Sequence, residues 1–194
     1  MASNATTAER IRRAALRLLE KGGPEAVSMR RIARSVRITP MAIYHHFPTR
    51  DALLKAVVDR EFGEFLQRAV AQPTYASPEA WIEHAMDAYL EYALARPQIF
   101  DYVFGKPREG ARRFPDDFRA RLSPTLNPLA DAVAGLMQAR EFKEDDVWEV
   151  ALELWAHAHG YIALYRAGRF NQSADEFRAL LHRSMRRLFH GLKA

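Results

Sequence analysis

The chain contains no cysteine. That excludes a disulfide framework and any thiolate metal site. No apolar run approaches the roughly 20 residues that a membrane-crossing helix needs. The first residues, MASNATTAER, lack the apolar centre of a secretory signal. A soluble cytoplasmic protein, not bound to a membrane, is therefore expected. Strand signals are missing as well: Val and Ile are sparse and never alternate cleanly with polar residues. There is no internal repeat and no low-complexity tract. The chain also lacks a phosphate loop and a nucleophile–base constellation, and Glu153 and His157, four apart, are the one pair of potential metal ligands to check. Neither enzymatic activity nor a cofactor is expected.

What is present is helical periodicity almost throughout, in 194 residues, enough to bury a real core as one or two small domains. Charge is unevenly placed. The net charge is +5, yet residues 1–70 carry 13 Lys and Arg against 7 Asp and Glu. The remaining residues are close to neutral. A basic N-terminal segment suits a polyanionic partner, although a solvated helix face carries the same signature.

Within that segment the stretch Ser28–Phe47, SMRRIARSVRITPMAIYHHF, holds two short helices. Ser28 is placed to cap the first, in which Met29, Ile32, Ala33 and Val36 recur at helical spacing. Thr39 caps the second and Pro40 takes its first position, where a missing N–H costs nothing. Only Arg37, Ile38 and Thr39 separate Val36 from Pro40, so the helices must cross steeply. That is a helix-turn-helix, whose second helix fits a DNA major groove.

The residue types suit that role. Thr39 and the helix start can hold a phosphate. Pro40, Met41 and Ala42 are compact enough to approach base edges, Tyr44 and His45 bring hydrogen-bonding tips, and Ile43 and Phe47 face inward. Arg30 and Arg31, with Arg50 and Lys55 on the following helix, can flank the groove as phosphate contacts. Pro40–Phe47 holds no Asn, Gln or Arg for bidentate base reading, so discrimination rests on apolar contacts, His45 and DNA shape.

The rest of the chain reads as further helices. The first runs from about Thr7 to Lys21, with a Thr6/Glu9 capping box and an apolar stripe of Ile11, Ala14, Ala15, Leu18 and Leu19, and ends at Gly22-Gly23-Pro24. Ile11, Leu18, Val27, Ile32, Ile43 and Phe47 would fill a three-helix core. A fourth helix, about residues 50–71, is apolar on more than one side and links this core to a second one. Helices follow over about 78–95, with Ser77 as N-cap and Pro78 at the first position, over 97–104 and, with interruptions at Pro124 and Pro128, over 116–140. Gly105 to Pro115 reads as a mobile loop. The last two helices, about 144–167 and 174 onward, are the most apolar, and the final one is capped by Ser173 and Glu176.

These residues carry a resemblance. Residues from about Thr7 to Leu66 resemble the DNA-binding domain of TetR-family transcriptional regulators, on Gly22, Val27-Ser28, Ile32-Ala33, Val36, Ile38-Thr39 and above all Ile43-Tyr44-His45-His46-Phe47 with Arg50 and Leu53-Leu54. Trp155, His159-Gly160, Leu164 and Gly168-Arg169-Phe170 are similar to the WHG type of C-terminal domain in that family. The resemblance implies an all-α protein of about nine helices: a helix-turn-helix domain at 1–49, then a helical effector-binding and dimerisation domain at 50–194. It implies a ligand-responsive regulator, a repressor, bound as a homodimer through its last two helices to near-palindromic double-stranded DNA. Carried over by position, it gives DNA contacts to Arg30, Thr39, Pro40, Met41, Ala42, Tyr44, His45 and Arg50. Where the family usually has Gly, this chain has Arg37, which could itself reach a phosphate.

Other readings stay open at this point. His45-His46, and likewise His157 and His159, diverge on their helices and make poor metal sites; His46 is expected to pack or cap locally. Met86, Tyr89, Phe100, Phe104 and Trp155 are the expected wall of a cavity for a small apolar or aromatic effector, although aromatics at helical spacing also serve as plain core. A helical-bundle enzyme and a helical scaffold that binds no DNA are the alternatives.

Overall fold

The computed structural model describes residues 5–70, 77–105 and 110–194, and among residues 66–70 the backbone only. The described residues form ten helices, no strand and one isolated antiparallel bridge, between Phe142 and Lys193. The fold is all-α, as expected. Where one helix or a broken pair was expected over 116–140, two appear: α7 (Asp116–Arg119) and α8 (Leu126–Gln138). The chain divides into two compact units, Met1–Glu64 with Ala95–Glu109, and Phe65–Leu94 with Gly110–Ala194. Among the described residues no helix is long and apolar enough to cross a membrane.

The first unit holds α1 (Thr7–Ala26), α2 (Met29–Val36), α3 (Pro40–Tyr44), the start of α4 (Arg50–Val70) and α6 (Pro97–Phe104). Its core is Ile11, Leu19, Val27, Ile32, Ile43, Phe47, Leu53 and Leu54. Leu18, expected among them, is only half-buried. The helical path of α1 breaks at Gly22 and Gly23, as the glycines suggest, and resumes for one more turn at Pro24. Gly23 has φ +69°, and a Cβ there would lie 2.9 Å from Oε1 of Gln98 on α6, so both backbone and space favour glycine. Arg96 ties α6 back to Glu20 and approaches the buried Glu61 at 3.9 Å.

Two expected caps are corrected. Thr6 accepts the Glu9 amide at 3.2 Å, but the return half of the box is absent. The Glu9 carboxylate instead holds Arg12 at 2.7 Å, Arg13 at 3.0 Å and Arg60. Arg12 above all, with Arg13 and Arg60, keeps that carboxyl below the usual range. Ser28 sits at the N-cap of α2 in extended conformation, without a side-chain capping bond.

The second unit holds α5 (Pro78–Ala95, to Leu94), α7, α8, α9 (Val147–Arg166) and α10 (Ala174–Leu192). Its core includes Ile82, Leu90, Val133, Leu136, Phe142, Leu154, Ile162, Phe177, Leu181 and Met185. Asp146 begins α9 by accepting the amides of Trp148 and Glu149 at 2.9 and 3.1 Å. The capping box of α10 is complete: Ser173 accepts from Glu176 N and Glu176 accepts from Ser173 N. The expected end of the fourth helix at Ala71, the break at Gln72-Pro73-Thr74 and the side chain of Leu66 lie outside the described residues, as do positions 106–109 of the expected loop.

Candidate nucleic-acid interface

The site is built by the turn between α2 and α3. At the end of α2 the Ile38 amide returns to the Ala33 carbonyl at 3.0 Å, a closure that requires a left-handed residue between them. Arg37 supplies it, with φ 57° and ψ 51°. This is the position at which glycine was expected, and its side chain is exposed. Arg10 braces the same turn, donating to the Val36 carbonyl at 2.6 Å. Thr39 then caps α3 by accepting the Ala42 amide at 3.2 Å, with Pro40 behind it.

α3 is thereby seated on one buried residue, Ile43, and followed by buried Phe47. Its opposite side is open: Met41 is 67% exposed and Tyr44 46%. Met41 and Tyr44 put an apolar body and a hydroxyl on that open face, the kinds of group that can meet base edges. Thr39, Pro40 and His45 are exposed and Ala42 is half-buried. His46 is exposed too, not packed as expected; the short α3 ends at Tyr44, so His46 lies in a turn.

The basic residues separate into two groups. Arg50 donates through Nε to the Val27 carbonyl at 2.9 Å and through Nη2 to the Pro24 carbonyl. Lys55 pairs with Asp59 one turn on, and Arg31 donates to the Ala26 carbonyl at 3.2 Å. Arg30, Arg34 and Arg37, in contrast, are exposed and take part in none of the side-chain hydrogen bonds or ion pairs of the described residues. Their spacing, i, i+4 and i+7, puts them on one flank of α2. Arg34 was not among the expected contacts, although its spacing from Arg30 was the available signal. Unpaired guanidinium groups beside an open helix face can take phosphate oxygens with no internal bond to break.

The residues expected to wall an effector cavity fall in both units. Phe100 is buried and Phe104 half-buried in the first, with ring centroids 4.9 Å apart. In the second, Met86 and Tyr89 are buried and Trp155 is half-buried. Here Tyr89 shares a hydrogen bond with Nδ1 of His159 at 2.9 Å, and Trp155 stacks on the same imidazole at 5.2 Å. Burial pushes the Tyr89 hydroxyl far above its usual pKa, so it stays protonated, and burial pulls His159 down. His157 is likewise lowered by burial and shares a 2.7 Å hydrogen bond with Ser184 rather than meeting Glu153. Among the described residues no three His, Asp or Glu side chains gather as a metal site. A cavity of about 340 Å3 opens between the start of α5 and the end of α10. Its lining is mixed in charge, including Glu79, Glu83, Arg186 and Lys193, and contains none of the five expected wall residues.

A short exposed helix seated across a buried three-helix core, with a left-handed turn before it, defines a helix-turn-helix protein. The chain belongs to the TetR family of bacterial regulatory proteins: its residues 11–57 match that family's model and residues 82–188 match the tetracyclin repressor-like C-terminal domain. An HTH-type transcriptional repressor of Mycobacterium tuberculosis is 32% identical over 125 residues, covering 64% of this chain and 61% of the relative. The chain thus spans 61% of the length of the curated relatives it matches. In fold it is similar to a protein of unknown function from Rhodococcus sp. RHA1, with TM-score 0.81 and 23% identity over 100% of this chain and 98% of the other. The transcriptional regulator FadR of Bacillus subtilis, solved in complex with stearoyl-CoA, shares the fold with TM-score 0.73 and 16% identity, over 94% of this chain and 98% of FadR.

Proposed function

We propose that the chain is a ligand-responsive transcriptional repressor of the cytoplasm, without enzymatic activity. It binds near-palindromic double-stranded DNA as a homodimer through α9 and α10 and is released by a small apolar or aromatic effector. Residues 1–49 form the DNA-binding domain, helix 4 (about 50–71) leads out of it, and residues 50–194 serve effector binding and dimerisation. A two-fold dimer sets two copies of α3 in successive major grooves, roughly 34 Å apart. The effector works by binding one setting of the pair better than the other.

The observation that carries this reading is the open face of α3, with exposed Met41 and Tyr44, beside the unpaired Arg30, Arg34 and Arg37. The relative named as a repressor supports the sense of regulation. FadR with stearoyl-CoA supports the capacity of this fold to house a small molecule. The test begins with selection of bound fragments from randomised duplex DNA and measures affinity for the selected duplex by fluorescence anisotropy. A common motif should emerge, and a Met41→Ala, Tyr44→Ala double variant that keeps its helical circular dichroism should bind it at least about tenfold more weakly. Failure to enrich any motif, or equal binding by the double variant, would overturn the assignment.

A further inference from the structure

α10 meets the acids of α5 in a ladder of charges. The two helices run antiparallel there, and on each the charged residues recur about one turn apart. Arg178 lies 3.2 Å from Asp87 and 3.3 Å from Glu91. His182 lies 2.8 Å from Asp87, and Arg186 3.6 Å from Glu83. Arg183 and Arg187, one position further on and about 100° around the helix, are exposed and pair with none of these acids. The repeat calls next for His190 against Glu79, and that rung is not made. His190 is exposed, and its side chain takes part in no hydrogen bond or ion pair among the described residues. Glu79 is met instead by Lys193, at 3.4 Å.

The cavity of about 340 Å3 between these helices lies at that gap, and Glu79, Glu83, Arg186, Phe189, His190 and Lys193 all line it. Both ion pairs beside it are loose. At 3.6 Å for Arg186 with Glu83 and 3.4 Å for Lys193 with Glu79, they exceed the about 2.7–3.2 Å of an N–H···O hydrogen bond. Oε1 of Glu79 is shut off from water and receives no hydrogen bond. A donor that reached it would satisfy a charged acceptor that the chain leaves unmet. The cation beside that oxygen is Lys193, whose side chain is 53% exposed and so can turn aside. Phe189, almost wholly buried, gives the cavity an apolar side.

We propose that this gap binds a small zwitterion, a primary ammonium and a carboxylate on an apolar body, of which a free apolar α-amino acid is the simplest form. The ligand's ammonium takes the place of the absent rung and donates to Glu79 and Glu83. Its carboxylate draws Lys193 off Glu79 and holds it together with Arg186. Charge selects this class. A simple anion would meet two carboxylates and a simple cation would meet Arg186 and Lys193, whereas opposite charges on one molecule match both. A quaternary ammonium has no N–H to give to Glu79. The volume lies near the lower end of the roughly 300–1,000 Å3 of small-molecule pockets. The site shares no residue with the expected effector wall and does not depend on DNA binding.

Isothermal titration calorimetry of the full chain at two temperatures tests this with L-leucine, L-methionine and L-phenylalanine, each beside its N-acetyl and methyl-ester derivatives. At least one free amino acid should bind, and both of its derivatives should bind about tenfold or more weakly, because each has lost one charge. Glu79→Gln and Lys193→Gln should each weaken the same amino acid by about tenfold or more. Circular dichroism checks that both variants remain folded, and the derivatives test the parent with no substitution at all. Binding of none of the three at either temperature would overturn the site. So would a derivative that binds as well as the free amino acid, or a folded Glu79→Gln variant that binds like the parent. If Tyr89→Phe weakens binding and Glu79→Gln does not, the ligand sits at the effector wall and the gap is not its site.

Discussion

Replacing Arg37 by glycine should raise stability and weaken DNA binding in one step. Arg37 occupies a left-handed conformation, φ 57° and ψ 51°, which costs a residue with a Cβ roughly 1–2 kcal/mol. Glycine removes that strain but loses about 0.5–1 kcal/mol to its greater freedom in the unfolded chain. A net gain of up to about 1.5 kcal/mol remains, or up to about 6 °C in Tm for a protein of this size. The exposed guanidinium has no partner within the described residues, so its loss removes one phosphate contact per protomer. Each such contact contributes about 0.9 to the slope of log affinity against log salt, so a dimer loses about 1.8. Between 50 and 200 mM salt the parent should therefore shed roughly tenfold more affinity than Arg37→Gly. Thermal melts by circular dichroism and anisotropy titrations on the selected duplex measure the two effects. Arg37→Ala separates them, because it loses the charge and keeps the strain. A lower Tm for the glycine variant would refute the strain argument, and an unchanged salt slope would refute the phosphate contact.

Other residues give further expectations. Arg50→Ala should lower stability by about 1–3 kcal/mol, because the Pro24 and Val27 carbonyls lose a charged donor; the salt slope should stay as in the parent, and a fall of about 1.8 would restore Arg50 as a phosphate contact. Gly23→Ala should destabilise by roughly 1–3 kcal/mol in urea unfolding, since φ is +69° and the new Cβ meets Gln98; an unchanged midpoint would show that α6 gives way freely. His157 and His159 are lowered by burial, so below their ordinary value of about 6.5 the unfolded chain takes up protons that the folded chain refuses. Stability should be fully present above that pH and decline as pH falls toward the folded values, with a lower urea midpoint at pH 5.5 than at pH 7.5. A His159→Gln variant should flatten the decline, and a midpoint that rises on acidification would contradict the assignment.

Much of the fold was legible in the sequence because its signals are local. Thr39 with Pro40, and Ser173 with Glu176, act within four residues, and the structure shows both caps formed. The buried row Met29, Ile32, Ala33 and Val36 follows from helical spacing alone. What escaped was decided by distant competitors. Glu9 is the right residue for a capping box, but Arg60, fifty-one positions away, shares its carboxylate with Arg12 and Arg13. Arg50 looks like any flanking cation until the end of α1 brings two carbonyls to it. Which arginines remain available to a polyanion is thus a property of the folded chain, and it moves attention from Arg50 and Lys55 to Arg34 and Arg37.

The contacts between α5 and α10 matter less for strength than for aim. Exposed ion pairs contribute little each, typically under about 1 kcal/mol. Yet four acids spaced one turn apart on α5, from Glu79 to Glu91, admit one matching row of α10. Turning α10 by a single residue, about 100°, would swing Arg183 and Arg187 toward α5 and carry Arg178 and Arg186 away from it. The ladder therefore works as a keyway. It fixes the angle at which the last helix is mounted, and so determines which of its two basic rows the outside world can touch.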